Sequence, residues 1–139
     1  HPDVKLATGE MIQNKVMFKQ FIENKSLDYC QIDSCRIASL NEIIPVLLMA
    51  SKFNTPVIPH AGGIGLCEYV QHLNLINKFI ITNNDLSLSE YAESCSEHFE
   101  NPAIIKNGGY VTPTSPGYSV KIKESSLEEF DFNNGKYWN

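Results

Sequence analysis

The order of apolar and polar positions along this chain predicts short strands that alternate with amphipathic helices. Four mostly apolar runs have the length of a strand: residues 4–8, 27–33, 55–59 and 78–82. After each run, apolar side chains recur at helical spacing: residues 11–24, 40–48, 66–75, and a last helix from Ser87 or Ser89 to about Phe99. This alternation is typical of a parallel sheet buried by helices on both faces. The predicted fold class is therefore α/β.

Proline and glycine residues interrupt the predicted alternation of strands and helices at two places. Pro45 lies inside the second predicted helix, which can accommodate it if the helix begins near Asn41 and Pro45 falls in the first turn. From residue 102 onward, glycine, proline and asparagine follow one another closely, as in turns. We therefore predict an irregular tail over residues 102–139.

Length and charge narrow the class of ligand. The chain has 139 residues, of which 42% are hydrophobic and 19% charged, which is enough to bury the core of one domain. The formal net charge is -5, and no run of lysine or arginine forms a basic surface. We therefore expect no nucleic-acid and no membrane partner, and predict a small molecule or a metal ion as the ligand.

Cysteine spacing and the apolar runs indicate the cellular compartment. Cys30, Cys35, Cys67 and Cys95 form no CxxC pair, so we interpret them as reduced packing residues of an intracellular protein, cytoplasmic or mitochondrial. The longest apolar run, residues 43–50, is shorter than the roughly 18 residues that a membrane span needs. The chain begins without methionine almost directly before a predicted strand, so we expect it to be part of a longer polypeptide.

Three titratable residues follow three successive predicted strands. Glu10, Asp33 and His60 are separated by 23 and 27 residues, about one strand-plus-helix unit each. In a parallel array the carboxyl ends of all strands lie at one edge, and ligands bind there. We therefore expect these three side chains to face one another around a shared opening. The alternative is that each one only caps the end of a strand or helix.

The residue types at this opening suit acid–base chemistry. A carboxylate of Asp33 bonded to His60 would fix the tautomer of the imidazole and prepare it for general acid or base catalysis near neutral pH. Glu10 offers a hard oxygen ligand for a divalent cation such as Mg²⁺. Asp85 follows the fourth predicted strand and is a candidate to reach the same opening, with a plain Asx turn as the alternative.

Two other interpretations of this region have less support. The glycine-rich turn at residues 62–65 is followed by Glu68 where a dinucleotide fingerprint needs a small residue, so the glycines more simply allow a sharp turn past a ligand. A nucleophilic triad could form if Ser34 or Cys35 joined the aspartate and histidine. The chain has no GxSxG elbow, however, and no cysteine signature of that kind.

Five stretches that include these residues resemble a known family. They lie at residues 7–10, 13–15 with 18–20, 31–36, 59–68 and 70–73. In this order and at these gaps they are similar to the C-terminal half of L-fuconate dehydratases, which belong to the enolase superfamily with mandelate racemase and muconate lactonizing enzymes. The similarity extends from about residue 4 to residue 138.

The resemblance implies a barrel of eight βα units with a separate capping domain. Residues 1–101 would form the C-terminal half of this TIM-type barrel, and residues 102–139 the tail that returns to the capping domain. A half-barrel has two open strand edges, so we expect a partner to cover them. That partner would be the remainder of the same chain or a second copy in a homo-oligomer.

The resemblance also implies a role for each residue of the site. Glu10 matches the family's third magnesium ligand, Asp33 the carboxylate that orients the histidine, and His60 the general acid. Asp85 falls near a glutamate that the family carries after its last strand, and is assigned to substrate binding. The family's other metal ligands and its lysine base lie on earlier strands that this sequence does not contain.

The activity implied is that of a hydro-lyase that converts L-fuconate to 2-keto-3-deoxy-L-fuconate. Mg²⁺ assists removal of the proton beside the carboxylate, and His60 protonates the departing 3-hydroxyl. This chain alone is expected to be inactive. Two alternatives stay open: a noncatalytic fragment or interaction module, and a superfamily dehydratase or epimerase for another acid sugar.

Overall fold

Short strands and helices alternate along the first half of the chain. The computed structural model describes residues 3–82 and 87–139. Regular structure in these residues follows the order β1 (Ala7–Thr8), α1 (Lys15–Glu23), β2 (Tyr29–Cys30), α2 (Leu40–Lys52), α3 (Leu66–Ile76), β3 (Ile105–Lys106), β4 (Gly109–Tyr110) and α4 (Glu124–Phe130). Among these described helices, none has the length and apolar character needed to cross a membrane.

Three extended segments lie side by side in parallel. β1 pairs with β2 in the register that places Thr8 opposite Cys30. On the other side of β2, a single parallel bridge joins Cys30 to Val57 in the third segment. The first three predicted strands are therefore present in the predicted order, although regular pairing between β1 and β2 covers only two residues of each.

Backbone hydrogen bonds explain how the third segment accommodates its prolines. The N–H groups of Ile58 and His60 donate to the carbonyls of Cys30 and Ile32, both at 2.9 Å. Because alternate residues of a strand face alternate sides, Pro59 lies between these two donors and its missing N–H falls on the side away from β2. The prolines therefore leave intact the bonds that hold His60 at the end of the third segment.

The helices bury one apolar face each against these segments. Phe18 and Ile22 of α1 are one helical turn apart and are both buried. The side chain of Asn14 caps α1 by accepting from the N–H of Met17 at 3.0 Å, so the helix begins four residues later than predicted. The main core comprises Ile12, Phe18, Ile22, Leu27, Cys30, Ile32, Ile37, Ile43, Val46, Leu47, Ala50, Val57 and Leu73.

Helix α2 continues through its proline. It begins at Leu40, so Pro45 lies just beyond the first turn rather than within it. The missing N–H leaves the carbonyl of Asn41 without its usual helical donor. Asn41 is exposed, so water can take that place, and burial of Val46 and Leu47 directly after the proline offsets the loss.

The prediction of a strand at residues 78–82 is wrong. The helical backbone of α3 continues there as a π-helical segment, Asn77–Thr82. No glycine or proline separates this run from α3, and a short apolar run does not by itself distinguish a strand from a helix. Ile81 packs partly against the main core, whereas Phe79 and Ile80 are exposed.

The helix predicted from Ser87 or Ser89 to Phe99 is also wrong. Only a single 3₁₀ turn, Ser96–His98, forms in this part of the chain. Cys95 precedes that turn with a φ of +58°, in the left-handed region, which ends any α-helical run. Residues 87–95 instead form an irregular segment, in which the carbonyls of Glu90 and Ala92 accept hydrogen bonds from the side chains of Tyr110 and Cys67.

The tail contains more regular structure than predicted. β3 and β4 form an antiparallel hairpin, and the two turn residues Asn107 and Gly108 have φ values of +53° and +76°, as a type I′ turn requires. α4 follows near the end of the chain. The side chain of His72 on α3 lies 3.0 Å from the hydroxyl of Ser119, so the tail is tied to the first half of the molecule.

We predict that Gly9→Ala will destabilise the protein by more than about 2 kcal/mol in urea unfolding. Gly9 has a φ of +134°, and an added Cβ would lie 2.8 Å from the backbone oxygen of Gln31 in the neighbouring segment. The matched control is Gly117→Ala, where φ is +104° but the Cβ would meet nothing within 4 Å. An equal loss in the free energy of unfolding in both variants would show that the close contact between position 9 and Gln31 is unimportant.

Candidate active site

The imidazole of His60 is held at the end of the third segment by an aspartate. Its Nδ1 lies 3.1 Å from Oδ2 of Asp33, and both side chains are largely buried, at 16% and 8% exposed. Backbone pairing of His60 with the β2 segment sets this distance, because it aligns the two residues at the same edge of the sheet. The predicted pairing of these two residues is therefore present in the structure.

Both carboxylate oxygens of Asp33 have a partner. While Oδ2 faces His60, Oδ1 accepts from the N–H of Cys35 at 2.7 Å in an Asx turn. The backbone carbonyl of Asp33 also accepts from Arg36 and Ile37, each at 3.1 Å. A carboxylate held in this way orients the ring and accepts from Nδ1–H, which leaves Nε2 for proton transfer.

Glu10 approaches the other ring nitrogen. Its Oε2 lies 2.9 Å from Nε2 of His60, and its side chain is 47% exposed. Both nitrogens of the ring thus face carboxylates, which accept but do not donate when ionised. A ring nitrogen that carries a proton can therefore donate it to the carboxylate that it faces. The predicted meeting of Glu10, Asp33 and His60 at one opening is present in the structure.

Glu90 is a fourth member that the sequence did not reveal. Its Oε2 accepts from the N–H of Ala61 at 2.6 Å and lies 3.8 Å from Nε2 of His60. The resemblance implied a glutamate after the last strand. Because residues 78–82 were wrongly predicted to be that strand, the role was assigned to Asp85, which follows them. Asp85 itself lies outside the described residues.

The glycine-rich turn passes close beneath the imidazole. A Cβ at Gly62 would lie 2.7 Å from Nε2 of His60, so any side chain there would displace the ring. Gly65 has a φ of +75° and precedes α3 as its N-cap. The turn therefore allows the chain to leave the site sharply, as predicted.

Comparison with known proteins decides the family. The family described as "Enolase C-terminal domain-like" matches residues 1–126, which is most of the chain. This chain belongs to that family. Membership agrees with the predicted α/β class and with the α/β barrel part of the mandelate racemase and muconate lactonizing fold, although the sheets of the described residues are small.

Individual relatives of this enolase-type chain are similar over nearly its whole length. "Mitochondrial enolase superfamily member 1" of Xenopus laevis is 50% identical over 137 residues, 98% of this chain and 31% of the relative. "L-galactonate dehydratase" of Hypocrea jecorina is 47% identical over 129 residues, 93% of this chain and 28% of the relative. The crystal structure of human "Mitochondrial enolase superfamily member 1" superposes with a TM-score of 0.89 at 45% identity, over 95% of this chain and 30% of that one. The chain thus spans about a third of the length of these relatives.

The described residues of the enolase-type chain do not form a complete magnesium site. No group of three or more His, Cys, Asp or Glu side chains among them is arranged to hold a metal ion. Mg²⁺ prefers about six oxygens in octahedral array, and Glu10 is one half-exposed carboxylate beside a histidine. A single carboxylate in this position supplies only one or two of these oxygens, so the described residues alone do not meet the preference of the ion.

The contacts give the nucleophilic triad no support. Among the described residues, the buried hydroxyl of Ser34 has no hydrogen-bond partner, and the exposed Cys35 contacts Asp33 through its backbone N–H. In the described residues, the hydrogen-bond and ion-pair partners of the ring nitrogens of His60 are carboxylates. Of the other cysteines, Cys30 is inert, because burial raises the pKa of its thiol to about 12.

Proposed function

We propose that this chain is the C-terminal part of an acid-sugar dehydratase that acts on L-fuconate. The observation that supports this is the imidazole of His60 between Asp33 and Glu10, at distances of 3.1 and 2.9 Å. A general acid beside a carboxylate at the end of a barrel strand suits the removal of a hydroxyl group. Membership of the enolase-type family and the similarity to an L-galactonate dehydratase agree with this class of reaction.

In this proposal His60 is the catalytic acid. A base outside this chain removes the proton from the carbon beside the substrate carboxylate, and Nε2 of His60 gives its proton to the departing 3-hydroxyl. The bond between C3 and the oxygen of that hydroxyl breaks, and one water leaves. The resulting enol then becomes a 2-keto-3-deoxy acid. Asp33 keeps Nδ1 protonated and the ring aligned throughout.

Glu10 is proposed as one ligand of a magnesium ion. Such an ion, when bound, supplies positive charge that stabilises the carboxylate of the substrate. The remaining ligands would come from residues that precede this chain in a longer polypeptide. Asp85 remains a proposed substrate contact, and Glu90 is a second candidate because of its position beside His60.

The exposed side of β1 suggests what assembles with this chain. The side chains of Val4 and Leu6 are 72% and 54% exposed, beside a strand that pairs on one side only within the described residues. We propose that the remainder of a longer chain covers this edge, with residues 102–139 returning to a capping domain. A second copy in a homo-oligomer is the alternative. The proposed location is cytoplasmic or mitochondrial, and the word mitochondrial in the name of the Xenopus laevis relative supports the second.

The test is a substrate assay with the protein from its full reading frame. L-Fuconate, L-galactonate and other acid sugars are incubated with and without Mg²⁺, and the 2-keto product is measured as its semicarbazone. We expect the highest kcat/KM with L-fuconate. A clear preference for another acid sugar would replace the substrate but keep the dehydratase. If no acid sugar loses water, the noncatalytic alternative is favoured.

A further inference from the structure

The position of Glu90 depends on contacts from outside its own segment. It lies within residues 87–95, which form neither a helix nor a strand. A side chain on such a segment is not aligned by regular backbone pairing, as His60 is. Glu90 nevertheless lies within 2.6 Å of the N–H of Ala61, a short, charge-assisted hydrogen bond. Some other part of the molecule must therefore hold this segment against the site.

The strongest such contact comes from the hairpin in the tail. The hydroxyl of Tyr110, on β4, donates to the backbone carbonyl of Glu90 at 2.7 Å. The hydroxyl of Ser89 reaches the same carbonyl at a longer distance, 3.3 Å. The ring of Tyr110 meets that of Tyr91 edge to face, with centroids 5.8 Å apart. Tyr110 thus contacts the segment at the backbone of Glu90 and at the ring of the next residue, Tyr91.

Tyr110 is itself held firmly. Its ring packs against the second apolar cluster, formed by Ala61, Leu66, Cys67 and Val70. Burial, followed by the neighbouring Cys67, raises the pKa of the tyrosine hydroxyl. That hydroxyl therefore keeps its proton at neutral pH and remains a donor. One cluster consequently supports both Tyr110 and Ala61, the two groups that bind Glu90 from opposite ends.

We propose that Tyr110 is a positioning residue of the active site, which holds Glu90 against Ala61 and His60 from a hairpin 50 residues beyond that histidine. The expected effect on turnover rests on the proposed function, whereas the hydrogen bonds that hold Glu90 do not. This role makes the tail part of the catalytic apparatus. The hydroxyl acts through the backbone of Glu90 and does not touch the reacting atoms.

The test removes the hydroxyl and retains the ring, as Tyr110→Phe. The amide proton of Ala61 reports the hydrogen bond to Glu90 directly by NMR, whether or not the protein turns over any substrate. We expect its signal to move upfield in Tyr110→Phe and in Glu90→Gln, with little further change in the double variant. In the dehydration assay we expect kcat to fall about tenfold in Tyr110→Phe, with KM nearly unchanged.

Tyr118→Phe is the matched control, because Tyr118 is 60% exposed and packs edge to face on Tyr69, 6.0 Å between centroids, away from the site. It should leave the Ala61 signal in place. A signal that stays unmoved in Tyr110→Phe, or shifts that add fully in the double variant, would overturn the proposal. If Tyr110→Phe does not fold, 3-fluorotyrosine at position 110 retains the hydroxyl but changes its strength as a hydrogen-bond donor. An Ala61 signal that does not move in that variant would also overturn the proposal. Absence of dehydration in the unsubstituted protein would refute the proposed function only.

Discussion

Replacing His60 with asparagine is expected to lower kcat for dehydration by about 10³-fold or more. Asparagine can still donate a hydrogen bond to Asp33, but it has no proton to transfer to a departing hydroxyl. The imidazole is the one group in the described site that faces carboxylates from both nitrogens, at 3.1 and 2.9 Å. The measurement is the rate of 2-keto acid formation by the protein from its full reading frame.

A labelling experiment separates the acid step from the base step in this variant. In D₂O, the carbon beside the substrate carboxylate should still exchange its proton, because the proposed mechanism assigns that step to a base outside this chain. His98→Asn is the matched control, since the ring of His98 bonds Ser126 at 3.0 Å, away from the site. Normal turnover in His60→Asn would remove His60 from the mechanism, and loss of exchange as well would make it the base.

Replacing Phe18 with alanine is expected to reduce the free energy of unfolding by about 3–5 kcal/mol. Phe18 is 0% exposed and lies in the main core between α1 and the β2 segment. Its ring also lies next to Gly9, because a Cβ added there would be 3.1 Å from Cε1 of Phe18. Its removal leaves a cavity directly behind the turn that carries Glu10. Urea unfolding followed by circular dichroism gives the change.

Val16→Ala on the same helix is the comparison for this core variant. Val16 is 61% exposed, so the substitution should change the free energy of unfolding by less than about 0.5 kcal/mol. A loss in Phe18→Ala no larger than in Val16→Ala would mean that α1 is not docked on the core in solution. Phe18→Ala should also weaken the contact between Glu10 and His60, which crystallography of the variant would detect.

Spacing along the chain was sufficient to predict the central part of the site. Residues that end successive parallel strands lie at one edge of the sheet by geometry alone, so Glu10, Asp33 and His60 could be brought together without coordinates. The distances from His60 to Asp33 and to Glu10 agree with that expectation. Their catalytic roles rest on the resemblance to L-fuconate dehydratases and stay predictions until the variants are assayed.

The second half of the chain was predicted less well, for two physical reasons. Residues 78–82 are apolar without a break from α3, and such a run is compatible with a strand or a helix until its neighbours are known. Residues 87–95 carry helical spacing in the sequence, but their carbonyls bond to the side chains of Tyr110 and Cys67 instead of to their own backbone. Tertiary contacts thus replaced the local hydrogen bonds of a helix.

The sequence by itself determined the order of the first three βα units, the α/β class and the three residues at the shared opening, because these follow from local periodicity and from the direction of parallel strands. Only the tertiary structure decided that Glu90 joins them and that Tyr110 holds it there. Those two residues meet through a hydrogen bond across 20 positions of the chain, between an irregular segment and a hairpin. A contact of that kind leaves no spacing in the sequence from which it could be predicted.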